Sequence, residues 1–330
     1  MDVITGLLPS PVSRAQSIMG GAMRLITYIC VFLSSFLHAV TLMAADKSPC
    51  KTIAFTAGFE GELKLLDCAS GRIRRLDVGQ VAASSLAYSR TRNLLAFDEA
   101  EGHDGSGSIY LLDLKTMDVE HIYNGEPSLH GPRFDHEGSC LYAGSFFDGI
   151  YRYCLASRAW EKIRISGLDS LSPNPMGLSF SKSGRKVAIS LGYAVGKAPI
   201  VPGAPKGFYI ASVENGEFTV QDRVAIDFWD CTSPQWVGDE EIVFAGRKEE
   251  GVQYIWKLDL ASGTLEQITE GPVGSLGFLS LSRDEKIIVF TGAGEKLEWK
   301  LWQVSIDGTG LKQLTGGDPH SGHLSPVWIE

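Results

Sequence analysis

One short pattern recurs six times along the chain, and it constrains the fold more than any other feature. Each copy reads as an apolar strand, a polar turn and a second apolar strand, with an aromatic or aliphatic residue in the middle of the first strand. These central residues are Tyr88, Phe134, Phe180, Trp236, Leu281 and Trp328. Their spacings are 46, 46, 56, 45 and 47 residues. A repeat of nearly constant length in this range is typical of a propeller or a solenoid.

Each unit continues with two further strands, as the last complete copy illustrates. Its second strand is Ile287–Phe290, its third is Lys300–Val304, and a turn containing Asp307 and Gly308 precedes the fourth strand, Lys312–Thr315. Glycine and aspartate suit such turns, because tight β turns need positive φ angles or local side-chain hydrogen bonds. Four antiparallel strands per unit are typical of a propeller blade. The sequence therefore predicts an all-β fold, and no helical period is evident after residue 45.

The number of blades follows from counting complete and partial units. Five complete units begin near residues 85, 131, 177, 233 and 278. The remaining pieces are three N-terminal strands and one C-terminal strand, which lie at Thr52–Phe55, Leu63–Asp67, Ile73–Asp77 and Ser325–Glu330. A C-terminal strand that pairs with the N-terminal blade closes the ring and removes an exposed sheet edge. We therefore expect a six-bladed β-propeller of four-stranded antiparallel blades, forming a single domain over residues 46–330.

Several stretches carry a family resemblance. They are Trp256–Asp259, Glu266–Thr269, Ile306–Thr309 and Leu314–Thr315. With these stretches, residues 51–330 resemble the repeats of the TolB-type six-bladed propellers. The resemblance implies the propeller architecture, without the N-terminal α/β domain that precedes the propeller in TolB. Membership of the Tol envelope machinery is not part of the expectation.

The first 45 residues differ in character from the rest. Met23 and Arg24 form a short basic start, the apolar stretch Leu25–Leu42 follows, and small residues precede a polar segment. This order is typical of a secretory signal peptide. We expect residues 1–45 to be a signal peptide, with Met23 as the true start, and the mature protein to be periplasmic or secreted. The alternative is an uncleaved membrane anchor, because about 18 apolar residues just span a bilayer.

Charge limits the classes of partner. The chain has a formal net charge of −9 and a pI near 5.3. A nucleic-acid-binding protein needs a basic face to meet phosphate groups, so this balance argues against a nucleic-acid partner. We expect no membrane contact beyond an N-terminal anchor, and we expect a monomer.

The cysteines suggest two disulfides within blades. The second and third strands of a blade form a hairpin, and the turn positions place Cys50 nearly opposite Cys68 and Cys140 nearly opposite Cys154. Cross-strand neighbours of this kind lie close enough for a disulfide, and an exported protein meets the oxidant that it needs. The alternative is four buried free thiols. Cys231 is left as a single core residue.

One end of the ring collects the long loops and several polar residues. We call this end, where the first strand of each blade begins, the top face. It receives the long stretches Asp98–Ser108 and Gly192–Gly207. Polar residues that precede the first strands also reach it; they are His130, Asn174, Asp230, His320 and His323. Because propellers usually bind ligands where long loops and polar groups converge, we expect these five residues to bind a protein, peptide or glycan there.

Two other functions stay open. The three histidines of the top face, with Asp230 or Asn174, suit a borderline or hard cation. Oligogalacturonate lyases are similar in having a histidine-rich, metal-bearing channel mouth, although their blade number and motifs differ. A metal-assisted polysaccharide lyase is therefore one alternative, and a structural subunit of an envelope complex is another. The sequence has no Gly-x-Ser-x-Gly nucleophile motif, so we assign no catalytic residue, and we expect no cofactor.

Overall fold

The computed structural model describes the chain from residue 52 to residue 329 with several gaps. The described ranges are 52–58, 60–99, 107–145, 148–167, 177–191, 206–228, 230–248, 253–270, 274–293, 298–316 and 322–329. The chain divides into two compact units, residues 1–49 and 50–330, and every described residue belongs to the second. Within these ranges no helix has the length and apolar character needed to cross a membrane.

The described strands form six antiparallel blades. Blade 1 contains β25 (His323–Ile329), β1 (Thr52–Ala57), β2 (Glu62–Asp67) and β3 (Ile73–Arg75). Blade 2 contains β4 (Ala83–Ser89), β5 (Leu94–Glu99), β6 (Ser108–Asp113) and β7 (Val119–Asn124). Blade 3 contains β8 (His130–Phe134), β9 (Cys140–Ser145), β10 (Gly149–Cys154) and β11 (Ala159–Lys162).

The second half of the ring follows the same order. Blade 4 contains β13 (Leu178–Phe180), β14 (Lys186–Leu191), β15 (Lys206–Glu214), β16 (Glu217–Ile226) and the short β12 (Ile165–Ser166). Blade 5 contains β17 (Asp230–Val237), β18 (Glu241–Arg247), β19 (Tyr254–Asp259) and β20 (Leu265–Gln267). Blade 6 contains β21 (Gly274–Leu281), β22 (Ile287–Ala293), β23 (Trp299–Ser305) and β24 (Lys312–Gln313).

The ring closes as predicted. The inner strands β4, β8, β13, β17, β21 and β25 each contact the next, and β25 also contacts β4. The C-terminal strand β25 pairs antiparallel with β1, with Trp328 opposite Ile53. The six-bladed all-β fold and its closure by the C-terminal strand are therefore confirmed, and β1 has no free inner edge.

Apolar side chains fill the spaces between neighbouring blades. Leu63 and Leu65 of blade 1 share one cluster with Leu95 and Phe97 of blade 2. The same arrangement joins blades 5 and 6, where Ala245 packs with residues of β22 such as Ile288 and Phe290. Because each blade buries one face against the next, the repeated apolar strands form a continuous ring of core.

Blade 4 departs from the predicted four strands. Its sheet has a fifth strand, because β12 runs parallel to the outer strand β16 and pairs Ile165 with Phe218. Strand β16 spans ten residues, against three for β20. The longer strand leaves more outer edge to be covered, and Phe218 beneath β12 is completely buried.

The inner strands are interrupted near their beginnings. Register shifts separate His130 from Arg133 in β8 and Thr232 from Gln235 in β17. Gly131 and Ser233 lie in these irregular segments with φ angles of 61° and 50°. A proline follows each of them in the sequence, and its missing N–H is tolerated at a bulge because the ladder is already broken there.

One predicted disulfide is present. Cys140 and Cys154 lie directly opposite each other on β9 and β10 and are bonded, with their Cα atoms 4.1 Å apart. Cys68 is disulfide-bonded as well, and Cys50 lies outside the described residues, so the Cys50–Cys68 pair stays a prediction. Cys231 is buried and is not part of a disulfide.

Candidate functional site

The predicted top-face residues are only partly within the described ranges. His130, Asp230 and His323 are the first residues of the inner strands β8, β17 and β25. Asn174 and His320 lie outside the described residues, as do residues 100–106 and 192–205 of the two long loops. For the three described residues, burial and hydrogen-bond partners define what each side chain can do.

His130 is held between a serine and a carboxylate. Its Nε2 atom lies 2.9 Å from Ser128 Oγ, and its Nδ1 atom lies 4.0 Å from Asp98 Oδ2. The three residue types are those of a hydrolase triad, but 4.0 Å is too long for the hydrogen bond that would orient the imidazole. The His130 side chain is buried, so it stabilises the start of β8 from within.

Asp98 braces two neighbouring inner strands. One oxygen accepts a hydrogen bond from the Ser85 amide of β4 at 2.5 Å, and the other accepts one from the Gly131 amide of β8 at 2.8 Å. Burial raises the pKa of this carboxyl, and the two amides and the nearby positive groups offset the rise only in part. The sequence placed Asp98 at the start of a long top-face loop, but the residue belongs to β5 and is 2% exposed.

Asp230 forms an ion pair within its own blade. Its carboxylate accepts hydrogen bonds from Arg247 Nη2 at 2.5 Å and from Gln253 Nε2 at 3.1 Å. Arg247 lies opposite Asp230 on β18, so the pair ties the top ends of the two strands together. The Nε atom of Arg247 is buried without a hydrogen-bond partner among the described residues.

His323 is buried in an environment that keeps it neutral. Its Nδ1 atom lies 2.8 Å from Thr315 Oγ1, and its ring packs edge-on against Phe55 with ring centres 5.0 Å apart. Burial, together with the positive charges of Lys300 and Lys64, lowers the pKa of His323 to about 4. The imidazole is therefore uncharged near neutral pH, and it connects β25 to blade 6.

A metal site of three or more ligands is not formed in the described part of the chain. Among these residues, no group of three His, Cys, Asp or Glu side chains is placed to hold a metal ion. The three described residues instead have separate partners. His130 contacts Ser128, Asp230 contacts Arg247, and His323 contacts Thr315. The predicted set that includes Asn174 and His320 extends beyond the described residues.

The opposite end of the ring, the bottom face, is made of short and internally bonded turns. Asp113 accepts hydrogen bonds from the amides of Lys115 and Thr116, and Asp259 does the same for Ala261 and Ser262. These hydrogen bonds lower the pKa of the exposed Asp259 carboxyl. Such aspartate turns are rigid and expose few free donors, so they suit a structural role.

A central cavity that sequence reasoning did not identify runs between the inner strands. It has a volume of about 790 Å³ and opens among the bottom turns. Its polar wall includes Arg133 of β8, Ser179 of β13, Gln235 of β17 and Ser280 of β21. No single unit of the repeat contains this surface, since each residue comes from a different blade. The one signal for this cavity in the sequence was the alternation of side-chain direction along each inner strand.

Comparison with known proteins supports the architecture. No family model matches the sequence, and no curated protein matches it. Among solved structures, TolB from Acinetobacter baumannii superimposes with a TM-score of 0.64 at 17% identity, over 84% of this chain and 66% of that chain. The chain has the fold of a TolB-like six-bladed propeller. A putative TolB from Agrobacterium tumefaciens gives a TM-score of 0.58 at 13% identity, over 84% of this chain and 98% of that chain.

A third solved structure has a similar fold. A chain of the nidogen–laminin complex matches with a TM-score of 0.57 at 10% identity, over 84% of this chain and 97% of that chain. At these identities the likeness describes the fold. This TolB-like propeller spans 66% of the length of the Acinetobacter TolB chain.

Proposed function

We propose that this TolB-like propeller is an exported binding module that holds a protein partner on its top face. The observation that carries the proposal is the difference between the two faces. On the bottom face, β4 and β5 are joined by residues 90–93 and β17 and β18 by residues 238–240. On the top face, residues 100–107 join β5 to β6 and residues 192–205 join β14 to β15. Long connections on a rigid scaffold are where propellers usually carry binding residues.

The buried polar residues of the top face hold the inner strands in place. His130, Asp230 and His323 are 6%, 5% and 4% exposed, so each has little surface to offer a large partner. We propose that they fix the beginnings of the inner strands, and that residues of the two long top loops make most of the contact. Asn174 and His320 remain proposed contact residues.

Three features favour a protein over a small substrate on this face. Among the described residues, each polar group of the top face is bonded to its own nearby partner, and the groups do not converge on one point. The fold is shared with TolB and with a chain of a nidogen–laminin complex. A ring of blades also offers a broad, preformed surface, which suits protein recognition with little rearrangement.

Export is part of the proposal. The basic start and apolar stretch of residues 23–45 have the order of a signal peptide, and the Cys140–Cys154 disulfide fits an oxidising compartment. Cell fractionation with N-terminal sequencing tests this directly. A mature protein that begins near residue 45 or 46 in the envelope or the medium supports export, whereas a cytosolic protein retaining Met23 contradicts it.

Site-specific photo-crosslinking in the producing cells tests the binding face. A photoreactive amino acid is placed at His103 or Lys197 in the top loops, and at Met117 or Ser262 in exposed bottom turns as matched controls. We expect a discrete higher-mass adduct from the top positions and none from the bottom positions. Adducts from the bottom positions alone would overturn the assignment of the face, and no adduct from any position would overturn the binding role.

A further inference from the structure

The geometry points to a second binding site, in the central cavity, for a small organic monocarboxylate held by Arg133. The cavity volume of about 790 Å³ lies within the range of small-molecule pockets. This site is separate from the top face, because its walls are the inner strands and its opening lies among the bottom turns. It therefore goes beyond the protein-binding role proposed above.

Arg133 is the charged residue on the inner-strand wall of the cavity. Its Nη1 atom donates hydrogen bonds to the carbonyl oxygens of Leu86 at 3.2 Å and Pro132 at 2.7 Å. These two bonds fix the guanidinium plane and use both hydrogens of Nη1. Neither Nε nor Nη2 has a hydrogen-bond partner among the described residues, and neither is among the fully buried polar atoms without partners. The Nε–Nη2 edge, which binds carboxylates in a bidentate manner, therefore remains available in the cavity.

Two serine hydroxyls add donors to the same wall. Ser179 Oγ accepts the amide hydrogen of Trp236, and Ser280 Oγ accepts that of Trp328, each at 3.3 Å. Neither hydroxyl hydrogen has an acceptor among the described residues. Both hydroxyls can therefore donate to a ligand that also carries hydroxyl or carboxylate oxygens.

The charges on the cavity wall favour a ligand with one negative charge over a ligand with two. Apart from Arg133, the charged side chains described on the cavity wall are three cations and three anions: Arg90, Lys182, Arg283, Asp135, Glu137 and Glu285. Lys182 and Glu285 pair directly at 3.1 Å. Arg133 thus adds one positive charge to an otherwise balanced wall, and the buried Asp98 carboxylate, which is not part of the wall, weakens the field of that charge. A monocarboxylate fits this balance better than a phosphate dianion.

The cavity also suits a ligand with a polar body. The Gln235 amide donates to the Pro234 carbonyl at 2.8 Å, which leaves its Oε1 atom as an acceptor on the wall. Donors on one side and an acceptor on another match a hydroxylated acid, such as a sugar acid. The aromatic rings at the same level, including Tyr88 and Phe180, border the cavity and limit its width.

Titration calorimetry of the purified full chain tests the site with D-glucuronate as the probe. D-Glucose is the uncharged control, and inorganic phosphate is the dianion control at the same ionic strength. We expect binding of glucuronate, no measurable binding of glucose, and weaker binding of phosphate. Absence of glucuronate binding overturns the proposal. Equal binding of glucose shows that Arg133 does not recognise a carboxylate, and equal or tighter binding of phosphate contradicts the preference for a monocarboxylate.

Substitutions at Arg133 then separate recognition from support of the fold. Arg133→Gln should weaken glucuronate binding by at least about tenfold, because a charge-assisted pair is lost. Arg133→Lys keeps the charge without the planar fork and should show an intermediate loss, and it serves as the readout if Arg133→Gln does not fold. The matched control is Arg152→Gln, which removes a guanidinium bonded to Glu161 on the outer part of blade 3. Unchanged binding in a folded Arg133→Gln or Arg133→Lys variant would overturn the proposal and leave Arg133 a structural brace between β4 and β8.

Discussion

The indole Nε1 of Trp328 donates a hydrogen bond to the carbonyl oxygen of Ser280 across 3.1 Å. Trp328 belongs to the C-terminal strand and Ser280 to the inner strand of blade 6, so this bond joins the last strand to the blade before it. Trp236 makes the same contact with Ser179 at 2.9 Å, between blades 5 and 4. Where the central residue of the repeat is a tryptophan, it therefore links neighbouring inner strands as well as filling the core.

Closure through Trp328 predicts three graded losses of stability. Trp328→Phe keeps most of the buried ring and loses one hydrogen bond, so the free energy of unfolding should fall by about 0.5–1.5 kcal/mol. Trp328→Ala should cost about 3–5 kcal/mol, and deletion of residues 325–330 should cost at least as much. Urea unfolding followed by tryptophan fluorescence or circular dichroism measures these changes.

Trp302 provides a matched control for this prediction. Its Nε1 atom is buried without a hydrogen-bond partner in the described part of the chain. Trp302→Phe therefore removes no hydrogen bond and should leave stability nearly unchanged. If the variant that lacks residues 325–330 unfolds like the full chain, β25 does not close the ring.

The Asp98 brace predicts a large loss when its acceptors are removed. Asp98→Ala leaves the amides of Ser85 and Gly131 unpaired in the core, at a cost of about 1–3 kcal/mol for each. Asp98→Asn retains one acceptor oxygen and should cost less. Asp118→Ala, at an exposed aspartate, is the control. Equal unfolding free energies for Asp98→Ala and Asp118→Ala would show that the brace contributes nothing.

His323 predicts a specific dependence of stability on pH. Its pKa is lowered from 6.5 to about 4 in the folded protein, so the unfolded chain binds the extra proton more readily. Protonation of His323 in the unfolded chain therefore lowers the free energy of unfolding as the pH falls from about 6.5 towards 4, by a total of about 3 kcal/mol. Above about pH 6.5 the imidazole is neutral in both states, and this loss is absent. His323→Gln should flatten the curve of unfolding free energy against pH in this window. The exposed His121→Gln variant should keep the slope, and an unchanged slope in His323→Gln would contradict the assignment.

The disulfide of blade 3 predicts a measurable role in stability. Cys140 and Cys154 close a loop with a sequence separation of 14, for which the chain-entropy account gives about 3 kcal/mol. The double variant Cys140→Ala, Cys154→Ala should lose this amount under oxidising conditions, whereas Cys231→Ala leaves the bond in place and should still lose stability when reductant is added. Equal unfolding free energies for the double variant and the oxidised unsubstituted chain would contradict this role.

Thiol counting addresses the second predicted pair. If the exported protein carries both bonds, the denatured oxidised chain has one titratable thiol, that of Cys231. Three titratable thiols would mean that the Cys50–Cys68 pair is not formed in the mature protein.

The repeat in the sequence was enough to predict the architecture. The spacing of residues such as Phe134 and Trp328 predicted the number of blades and their closure, because each repeat forms its hairpins from local contacts and needs only a neighbour to bury its face. The opposition of Cys140 and Cys154 was predictable for the same reason, since register within one hairpin follows from its turn.

The roles of the polar residues around the inner strands could not be predicted from the sequence and became evident in the folded ring. Asp98 looked like the start of a solvated loop, yet its carboxylate braces β4 and β8, whose amides lie 13 and 33 residues away in sequence. Likewise, Arg133, Ser179 and Ser280 carry no joint signal in the sequence, because they come together only when three different blades are placed around the channel. Contacts within a repeat are set by chain connectivity, whereas contacts across the channel depend on the closure of the whole ring, and this is why the fold was predictable and the cavity was not.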